Sequence, residues 1–325
     1  MYLILKKRTI PVKILIYEAV VKRLPFNHPR KKEFQTKLMK LKAGYKGEVD
    51  LDYYLAQLPE KEFILLQGLR LPHFETHFQI DTLLLSPSFF INFESKNYAG
   101  EIDIDLTFDQ LIRTIDGKQD TYGNPILQAK IQTSNLTTWL KNNSFSYPPI
   151  EYFVTISSAQ TIIKNSNNSP EVFYRVFRTA RALYKIEDMK LKFKSETLTM
   201  KDLKKIAHKL IKSHQPLIVD PKVLNLPLNE LIKGIQCPEC HQFGMKRIHG
   251  NWICSSCSHL SKTAHISAIK DFFLLHGFSI DNQQLREFLG IDSVDLATHI
   301  LKSINPIPSG SKKNRIYSPP KDFFS

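Results

Sequence analysis

The sequence predicts an α/β protein followed by a small cysteine-rich module and a C-terminal helical region. Three observations lead to this fold class. In the first half of the chain, short apolar runs typical of strands alternate with helical patterns. All four cysteines fall between residues 237 and 257. Helical periodicity then returns after the last cysteine.

The composition favours a soluble protein with a polyanionic partner. The chain has 325 residues, enough for two or three domains and a substantial core. Its 42% hydrophobic and 23% charged residues are typical of a globular rather than a disordered chain. The net charge of +14 and a pI near 9.4 favour a nucleic-acid partner. A basic protein without a nucleic-acid role remains the alternative.

The hydropathy pattern predicts neither a membrane span nor a secretory signal. No uninterrupted apolar stretch reaches the roughly 18 residues that a spanning helix requires. Near the N-terminus the basic residues follow a very short apolar run, which is the wrong order and length for a signal peptide. We therefore expect a cytoplasmic location.

The first elements follow a basic lead-in over residues 1–40. Helical spacing begins at Gly44 and stops at Pro59. Apolar runs then predict three strands, over 62–69, 79–85 and 89–96. The segment 97–123 has few regular signals and is predicted to be a polar loop.

A second helix and a fourth strand complete the predicted first domain. Asn124-Pro125 opens the helix, because asparagine is a favoured N-cap and proline a favoured first residue. Residues 150–156 form the fourth strand. The order helix, three strands, helix, strand predicts an α/β domain over residues 41–160.

Charged residues lie where two neighbouring strands meet. Asp81 is near the start of one strand, whereas Glu94 and Lys96 end the next and share a face. If Pro87-Ser88 is the turn, Asp81 lies opposite Glu94 with Cβ atoms roughly 5 Å apart, whereas a three-residue turn would send Asp81 to the other face. A divalent cation would relieve the repulsion of the two acids, and Lys96 could stabilise charge on a phosphate. The pattern therefore predicts metal-dependent phosphodiester hydrolysis.

Glu48 and Gln128 are further candidates for this site. Glu48 lies on the apolar stripe of Leu51, Leu55 and Leu58, where a buried carboxylate needs a partner. The alternative is an acid that only stabilises the helix dipole. Gln128 lies one turn into a helix that should pack on the same sheet, so its amide could reach the acids, although surface glutamines are common.

Residues 161–230 are predicted to be a helical middle region and linker. One helical pattern has its apolar face over 173–183, and a second covers 203–211. The first pattern carries a basic face that either is solvated or touches phosphate, formed by Arg175, Arg178, Arg181 and Lys185.

The cysteines predict a zinc ribbon over residues 231–262. Cys237 and Cys240 form one CxxC pair, Cys254 and Cys257 form another, and thirteen residues separate the two pairs. Four thiolates at this spacing indicate a closed tetrahedral site with structural Zn²⁺. Zinc ribbons bind nucleic acid and also dock proteins, so both partners remain open.

The C-terminal region has a helical pattern over residues 263–305. Its three segments suit a small helix-turn-helix. The third segment offers only His299 and Lys302 as cations, so plain packing is the alternative to DNA readout. A basic tail over 306–325 ends the chain and carries Lys312, Lys313 and Arg315.

Four motifs resemble those of the NERD (nuclease-related domain) family, and they occur in the same order along the chain as in that family. They are Gly44-Tyr45-Lys46-Gly47-Glu48, Gln79-Ile80-Asp81, Phe93-Glu94-Ser95-Lys96-Asn97-Tyr98-Ala99-Gly100 and Asn124-Pro125-Ile126-Leu127-Gln128. The resemblance covers roughly residues 40–157, and His28-Pro29-Arg30 in the lead-in also resembles bacterial members. It implies a PD-(D/E)xK nuclease with a restriction-endonuclease-like mixed sheet flanked by helices.

The resemblance also implies roles for individual residues. Asp81 and Glu94 would bind Mg²⁺ or Mn²⁺, and Lys96 would stabilise charge or activate water. Glu48 and Gln128 would be auxiliary residues of the catalytic site. The sequence departs from the family at Thr82, where histidine is frequent, and at Ser95, where a β-branched apolar residue is usual.

Together these inferences predict a Mg²⁺- or Mn²⁺-dependent nuclease that acts on DNA, with the zinc ribbon helping to hold the substrate. Two alternatives remain open at this point. One is a nucleic-acid-binding protein without catalysis, and the other is an interaction scaffold whose zinc ribbon docks a protein partner.

Overall fold

A computed structural model describes residues 3–311, 314–320 and 323–324. The chain divides into two compact units. The first unit comprises Met1–Thr9 and Lys42–Leu217, and the second comprises Ile10–Leu41 and Ile218–Ser325. The six sequence segments proposed above, from lead-in to tail, stay predictions.

The helices and strands are numbered here along the chain. The helices are α1 (Val12–Arg23), α2 (Lys31–Leu55), α3 (Pro125–Asn142), α4 (Pro170–Arg175), α5 (Ala182–Lys192), α6 (Met200–Ser213), α7 (Ala264–His276), α8 (Asn282–Leu289) and α9 (Val294–Ser303). The strands are β1 (Ile4–Lys6), β2 (Ile64–His73), β3 (Thr76–Leu85), β4 (Phe90–Lys96), β5 (Glu101–Asp105), β6 (Gln110–Ile115), β7 (Lys118–Gly123), β8 (Ile150–Ile156), β9 (Ile162–Lys164), β10 (Val176–Arg178), β11 (Lys246–Ile248), β12 (Asn251–Ile253), β13 (Leu260–Ser261), β14 (Ile307–Ser309) and β15 (Ile316–Ser318). Short 3-10 helices cover Thr179–Arg181, Pro221–Leu224 and Leu228–Glu230.

The first unit is built on a mixed six-stranded sheet, as the α/β prediction required. Its strand order is β1-β2-β3-β4-β8-β10. The β2–β3 and β3–β4 pairs are antiparallel, whereas β1–β2, β4–β8 and β8–β10 are parallel. Parallel neighbours require crossover connections, and α3 supplies the one between β4 and β8.

Helices cover both faces of this sheet. On one face, α3 and α6 contribute Leu136 and Leu203 to a core shared with β2 and β3. On the other face, α2 and α5 contribute Leu51 and Ile186 to a second core. Because both faces are covered, the central strands are buried over consecutive residues rather than at alternate ones.

The predicted polar loop over 97–123 is wrong, because this segment forms β5, β6 and β7. With β9 these strands make a second sheet in the order β7-β6-β5-β9. In β5 the buried residues Ile102 and Ile104 alternate with three acidic residues, which are more exposed than the isoleucines. This alternation spans only five residues, and β7 is almost entirely exposed, so the segment carries little apolar signal.

Two predicted helix boundaries also differ from the structure. Helix α2 begins at Lys31 and continues through Gly44. Gly47 lies inside α2 at a close approach, since a Cβ atom there would lie 2.9 Å from the Cβ of Asn97. The helix predicted around 173–183 is interrupted, because Val176–Arg178 joins the sheet as β10, parallel to β8.

The second unit contains the cysteines and the C-terminal helices. Strands β11, β12 and β13 form a small antiparallel sheet, and β11 and β12 form a hairpin between the two CxxC pairs. A reciprocal cap between Asp281 and Gln284 is present at the start of α8. The helix-turn-helix interpretation of α7, α8 and α9 stays a prediction.

Part of the basic tail is ordered. Strands β14 and β15 pair in antiparallel fashion within it, whereas Lys312 and Lys313 lie outside the described residues. In the described part of the chain, every helix is too short or too polar to cross a bilayer.

Candidate functional site

The register of the β3–β4 hairpin places Asp81 opposite Glu94. The ladder pairs Thr82 with Phe93 and Leu85 with Phe90, and continuing it by one residue pairs Asp81 with Glu94. At the other end, the Ser86 N–H donates to the Phe89 carbonyl at 3.0 Å, which closes a two-residue turn over Pro87-Ser88. The register that the sequence made conditional on this turn is therefore confirmed.

Asp81 lies where the sheet loses its regular alternation. Its neighbour across the β2–β3 ladder is Gly68, which has a φ of +61°. Leu66 and Leu69 are three residues apart but pack into the same core, so the strand turns over at this glycine. A side chain at position 68 would be strained by this φ, and its Cβ would lie 3.9 Å from the side-chain nitrogens of Arg8 and Lys6, so glycine suits this position.

The Asp81 carboxylate is buried and anchored to the next strand. Its Oδ2 accepts a hydrogen bond from the Ser95 backbone N–H at 2.9 Å. Burial raises the pKa of Asp81 well above its ordinary value, and the nearby charges of Glu94 and Glu48 raise it further. The site therefore holds more negative charge than its own hydrogen bonds compensate.

Glu94 is held by two donors. The Lys96 ammonium donates to Glu94 Oε1 at 2.7 Å, and the Gln132 amide donates to Oε2 at 2.8 Å. The Gln128 Oε1 accepts from the same Lys96 ammonium at 3.0 Å. Burial lowers the pKa of Lys96, but Glu94, Tyr98 and Asp81 together outweigh burial, and the net pKa is raised. Lys96 is therefore a protonated amine at neutral pH.

Glu48 belongs to an ion-pair network centred on Arg8. The Arg8 guanidinium donates to Glu48 Oε2 and to both carboxylate oxygens of Asp52, the latter at 2.7 and 3.0 Å. It also donates to the Asp81 carbonyl at 2.8 Å. Burial raises the pKa of Glu48, Arg8 lowers it, and Glu94 and Asp52 contribute to a net increase.

The five site residues predicted from the sequence lie in one connected group. They are Glu48, Asp81, Glu94, Lys96 and Gln128. Hydrogen bonds link Lys96 to Glu94 and to Gln128, and Arg8 links Glu48 to the Asp81 backbone. The Ser95 N–H joins the Asp81 carboxylate to the strand that carries Glu94 and Lys96. Their roles in catalysis stay predictions, because contacts alone do not establish a reaction.

Sequence reasoning missed three residues of this group, namely Arg8, Asp52 and Gln132. Two of them had a readable signal: Asp52 follows Glu48 by four residues and Gln132 follows Gln128 by four, so each pair shares a helix face. Arg8 had none, because it lies 40 residues before Glu48 and joins it only through the fold.

The donor set fits a hard divalent cation. Asp81 and Glu94 occupy facing positions and offer carboxylate oxygens, the type of ligand that Mg²⁺ and Mn²⁺ prefer. Burial, and then the charges of Glu94 and Glu48, raise the pKa of Asp81, and a cation between the two acids would offset these effects. Asp81 and Glu94 are thus the residues that could hold such an ion, with Glu48 beside them.

The four cysteine sulphurs form a second candidate metal site. Within the described residues they are a group whose Sγ atoms all lie within 4.8 Å of one another. The Cys237–Cys257 and Cys240–Cys254 Sγ atoms are 3.7 and 3.5 Å apart. A tetrahedron with Zn–S bonds of about 2.3 Å has edges of about 3.8 Å. The cluster therefore fits a structural zinc ion, as predicted for a ribbon.

Comparison with known proteins agrees with the geometry of the first site. Residues 43–157 match the family model of the nuclease-related domain, NERD. No curated protein and no solved structure matches the chain significantly. The matched range runs from within α2 to the end of β8 and contains all five selected residues. The similarity of this chain to the nuclease-related domain thus extends over residues 43–157.

Proposed function

We propose that this protein is a Mg²⁺- or Mn²⁺-dependent nuclease that hydrolyses phosphodiester bonds in DNA. One observation carries the proposal: Asp81, Glu94 and Lys96 meet at the β3–β4 pair, and the pKa of Asp81 is raised by burial and by its acidic neighbours. This grouping matches what phosphodiester hydrolysis requires, namely hard ligands for a cation beside a positive side chain.

Each residue has a proposed task. Asp81 and Glu94 would hold the cation, which when bound makes water more acidic and neutralises phosphate charge. Lys96 would donate N–H groups to phosphate oxygens as negative charge grows on them. Because its pKa is raised, Lys96 suits charge stabilisation better than water activation. Gln128 would hold the Lys96 amine in place through its 3.0 Å contact.

A basic face on α6 supports a nucleic-acid substrate. The helix buries Leu203, Ile206 and Leu210 and exposes five lysines, which are Lys201, Lys204, Lys205, Lys209 and Lys212. The acid Asp202 caps the helix by bonding Thr199 and lies 3.6 Å from the Lys205 ammonium, so the other four lysines give this face its positive charge. Rows of lysine on a rigid surface attract the phosphate backbone without reading its sequence.

The zinc ribbon would help to hold the substrate in the second unit. Its four thiols are free of disulfides, which fits zinc binding in a reducing compartment such as the cytoplasm. A protein partner docked on the ribbon is the competing role. Binding of DNA by the zinc-loaded chain, and its loss on chelation, would separate the two.

Purified full-length protein tests the proposed activity. Plasmid DNA, linear DNA and RNA are incubated with Mg²⁺ or Mn²⁺, and with EDTA as the metal-free control. We expect metal-dependent cleavage that falls by about 100-fold or more in Asp81→Ala and in Lys96→Ala. Asp120→Ala and Lys118→Ala are matched controls on exposed positions of β7 and should leave the rate unchanged.

The results distinguish the proposal from its rivals. Cleavage that survives both site variants would locate the activity elsewhere. Salt-sensitive DNA binding without products would favour a binding protein. Cleavage of RNA but not of DNA would support the proposed hydrolysis of phosphodiester bonds and would identify RNA as the substrate.

A further inference from the structure

We propose that Arg8 is a positioning residue of the candidate site, so that the functional nuclease unit begins before the matched range 43–157. This inference rests on the proposed function. Arg8 lies outside the matched segment, yet its guanidinium contacts two acids and the strand that carries Asp81.

The contacts of Arg8 use nearly all of its donors. Nε and one terminal nitrogen donate to the two carboxylate oxygens of Asp52. The other terminal nitrogen donates to Glu48. The terminal nitrogen that bonds Asp52 also lies 2.8 Å from the Asp81 carbonyl and from the Thr82 hydroxyl, so its two N–H groups are shared among three acceptors. The guanidinium thus ties helix α2 to strand β3 at the position of Asp81.

The segment that carries Arg8 is held to the same sheet. Strand β1 pairs in parallel with β2, with Ile4 opposite Leu65. The Leu65 N–H donates to the Leu3 carbonyl at 2.8 Å. Two residues past β1, the Arg8 N–H donates to the Gln67 side chain at 3.0 Å. Arg8 therefore reaches the site from an ordered strand rather than from a loose terminus.

Burial makes these contacts consequential. Only 5% of the Arg8 side chain is exposed, and the Glu48 and Asp52 side chains are 19% and 16% exposed. Without the guanidinium, two largely buried carboxylates would face Asp81 and Glu94 with no partner for their charge. Glu48 would then turn toward solvent, and the β3 backbone at Asp81 would lose a donor. Arg8 thus orients one acid and fixes the strand that carries another.

Lysine cannot perform this task. The planar guanidinium offers five donors in a fixed fork, whereas an ammonium offers three from one point. Arg8→Lys keeps the charge but removes the bidentate pairing with Asp52 and the reach to β3. A purely electrostatic role would tolerate this change, and a positioning role would not.

The experiment measures Mn²⁺ binding by calorimetry, without DNA, in full-length protein. We expect Arg8→Lys to weaken Mn²⁺ binding about tenfold, and Arg70→Lys, an arginine on the same sheet, to leave it unchanged. In a Glu48→Gln background the Arg8→Lys effect should shrink below about threefold, because Arg8 acts in part through Glu48. Circular dichroism verifies that each variant is folded. Asp52→Asn, which loosens the same guanidinium, should also weaken Mn²⁺ binding and stands in if Arg8→Lys does not fold.

Two outcomes would overturn the inference alone. One is wild-type Mn²⁺ affinity in Arg8→Lys, or in Asp52→Asn where that variant stands in. The other is an equal fold-loss for Arg8→Lys with and without Glu48. A wild-type protein that binds no Mn²⁺, by contrast, would remove the proposed function and this inference together.

Discussion

Asp81 and Glu94 face each other across the β3–β4 ladder, and both carboxylates are almost completely buried. The two carboxylates form hydrogen bonds with other groups and not with each other. Asp81 accepts from the Ser95 backbone N–H, and Glu94 accepts from Lys96 and Gln132. A stable fold has no need of two acids in such a place, since facing like charges are destabilising. The arrangement is instead one that a cation would stabilise.

Asp81→Asn should stabilise the metal-free protein at neutral pH. The pKa of Asp81 is raised above its ordinary value near 3.8, mainly by burial and then by Glu94 and Glu48, so the folded state favours the protonated acid. Its stabilising contribution is therefore present below that ordinary value and is lost as pH rises through the folded pKa. Asparagine keeps an acceptor for the Ser95 N–H and removes the charge. We expect a gain on the order of 1 kcal/mol at pH 7 in EDTA, measured by urea denaturation.

Added Mg²⁺ should make the wild type more stable than Asp81→Asn. A ligand that binds only the folded state raises the melting temperature, so Mg²⁺ should stabilise the wild type and not Asp81→Asn. Asp120→Asn, an exposed acid on β7, should behave like the wild type in both conditions. Equal stabilisation of wild type and Asp81→Asn by Mg²⁺ would argue against a cation at this site.

Removal of zinc should unfold the cysteine module. We expect one zinc ion per chain by elemental analysis, and about none in Cys257→Ser, because a closed site needs all four thiolates. The stability of the second unit should fall by several kcal/mol on chelation. Ser256→Ala, next to the same ligand, should keep the ion. Full zinc content in Cys257→Ser would be incompatible with the four-thiolate site.

His265 should make the second unit sensitive to mild acid. It is 7% exposed, and its Nδ1 accepts a hydrogen bond from Trp252 Nε1 at 2.9 Å. Burial, with smaller effects of Arg247 and His299, lowers its pKa from 6.5 to about 4. As the pH falls below 6.5, this histidine becomes protonated in the unfolded chain but stays neutral in the folded one. The free energy of unfolding therefore decreases as the pH is lowered, and it levels off near pH 4.

His265→Gln should remove this part of the pH dependence. Glutamine can still accept from Trp252 but does not titrate in this range. Between pH 7 and pH 5 the wild type should lose about 1–2 kcal/mol more than the variant, measured by denaturation of zinc-loaded protein. Parallel curves for the two proteins would show that His265 does not cause the effect.

Charge reversal on α6 should weaken DNA binding. Lys204→Glu combined with Lys209→Glu removes two cations from the exposed face without touching its buried residues. We expect weaker binding and a shallower dependence on salt, by about 0.9 in log–log slope for each lysine–phosphate ion pair that the substitutions remove. The control pair Lys61→Glu and Lys118→Glu carries the same charge change elsewhere on the first unit. Equal weakening in both pairs would indicate net charge rather than a specific role of α6.

Local signals explain what the sequence predicted well. The Asn124-Pro125 helix start, the strand at 150–156 and the β3–β4 hairpin each depend on residues close together in the chain, and each is present. The β5–β7 region was missed because its strands are short and mostly exposed, so apolar alternation was weak. The strand at 176–178 was missed because tertiary pairing with β8 overrode a helical pattern.

By itself, the sequence determined the two hairpin strands that carry the acids and the lysine, and the spacing of the four thiols, because turn chemistry and CxxC spacing act within a few residues. It left two registers open for the hairpin, and the structure decided that Asp81 lies opposite Glu94. Tertiary structure alone decided which groups complete the site. Arg8 reaches Glu48 and Asp81 only because β1 pairs in parallel with β2, and Gln132 reaches Glu94 only because α3 packs on the sheet. Contacts between residues so distant in the chain have no local pattern, since packing of the whole unit brings them together.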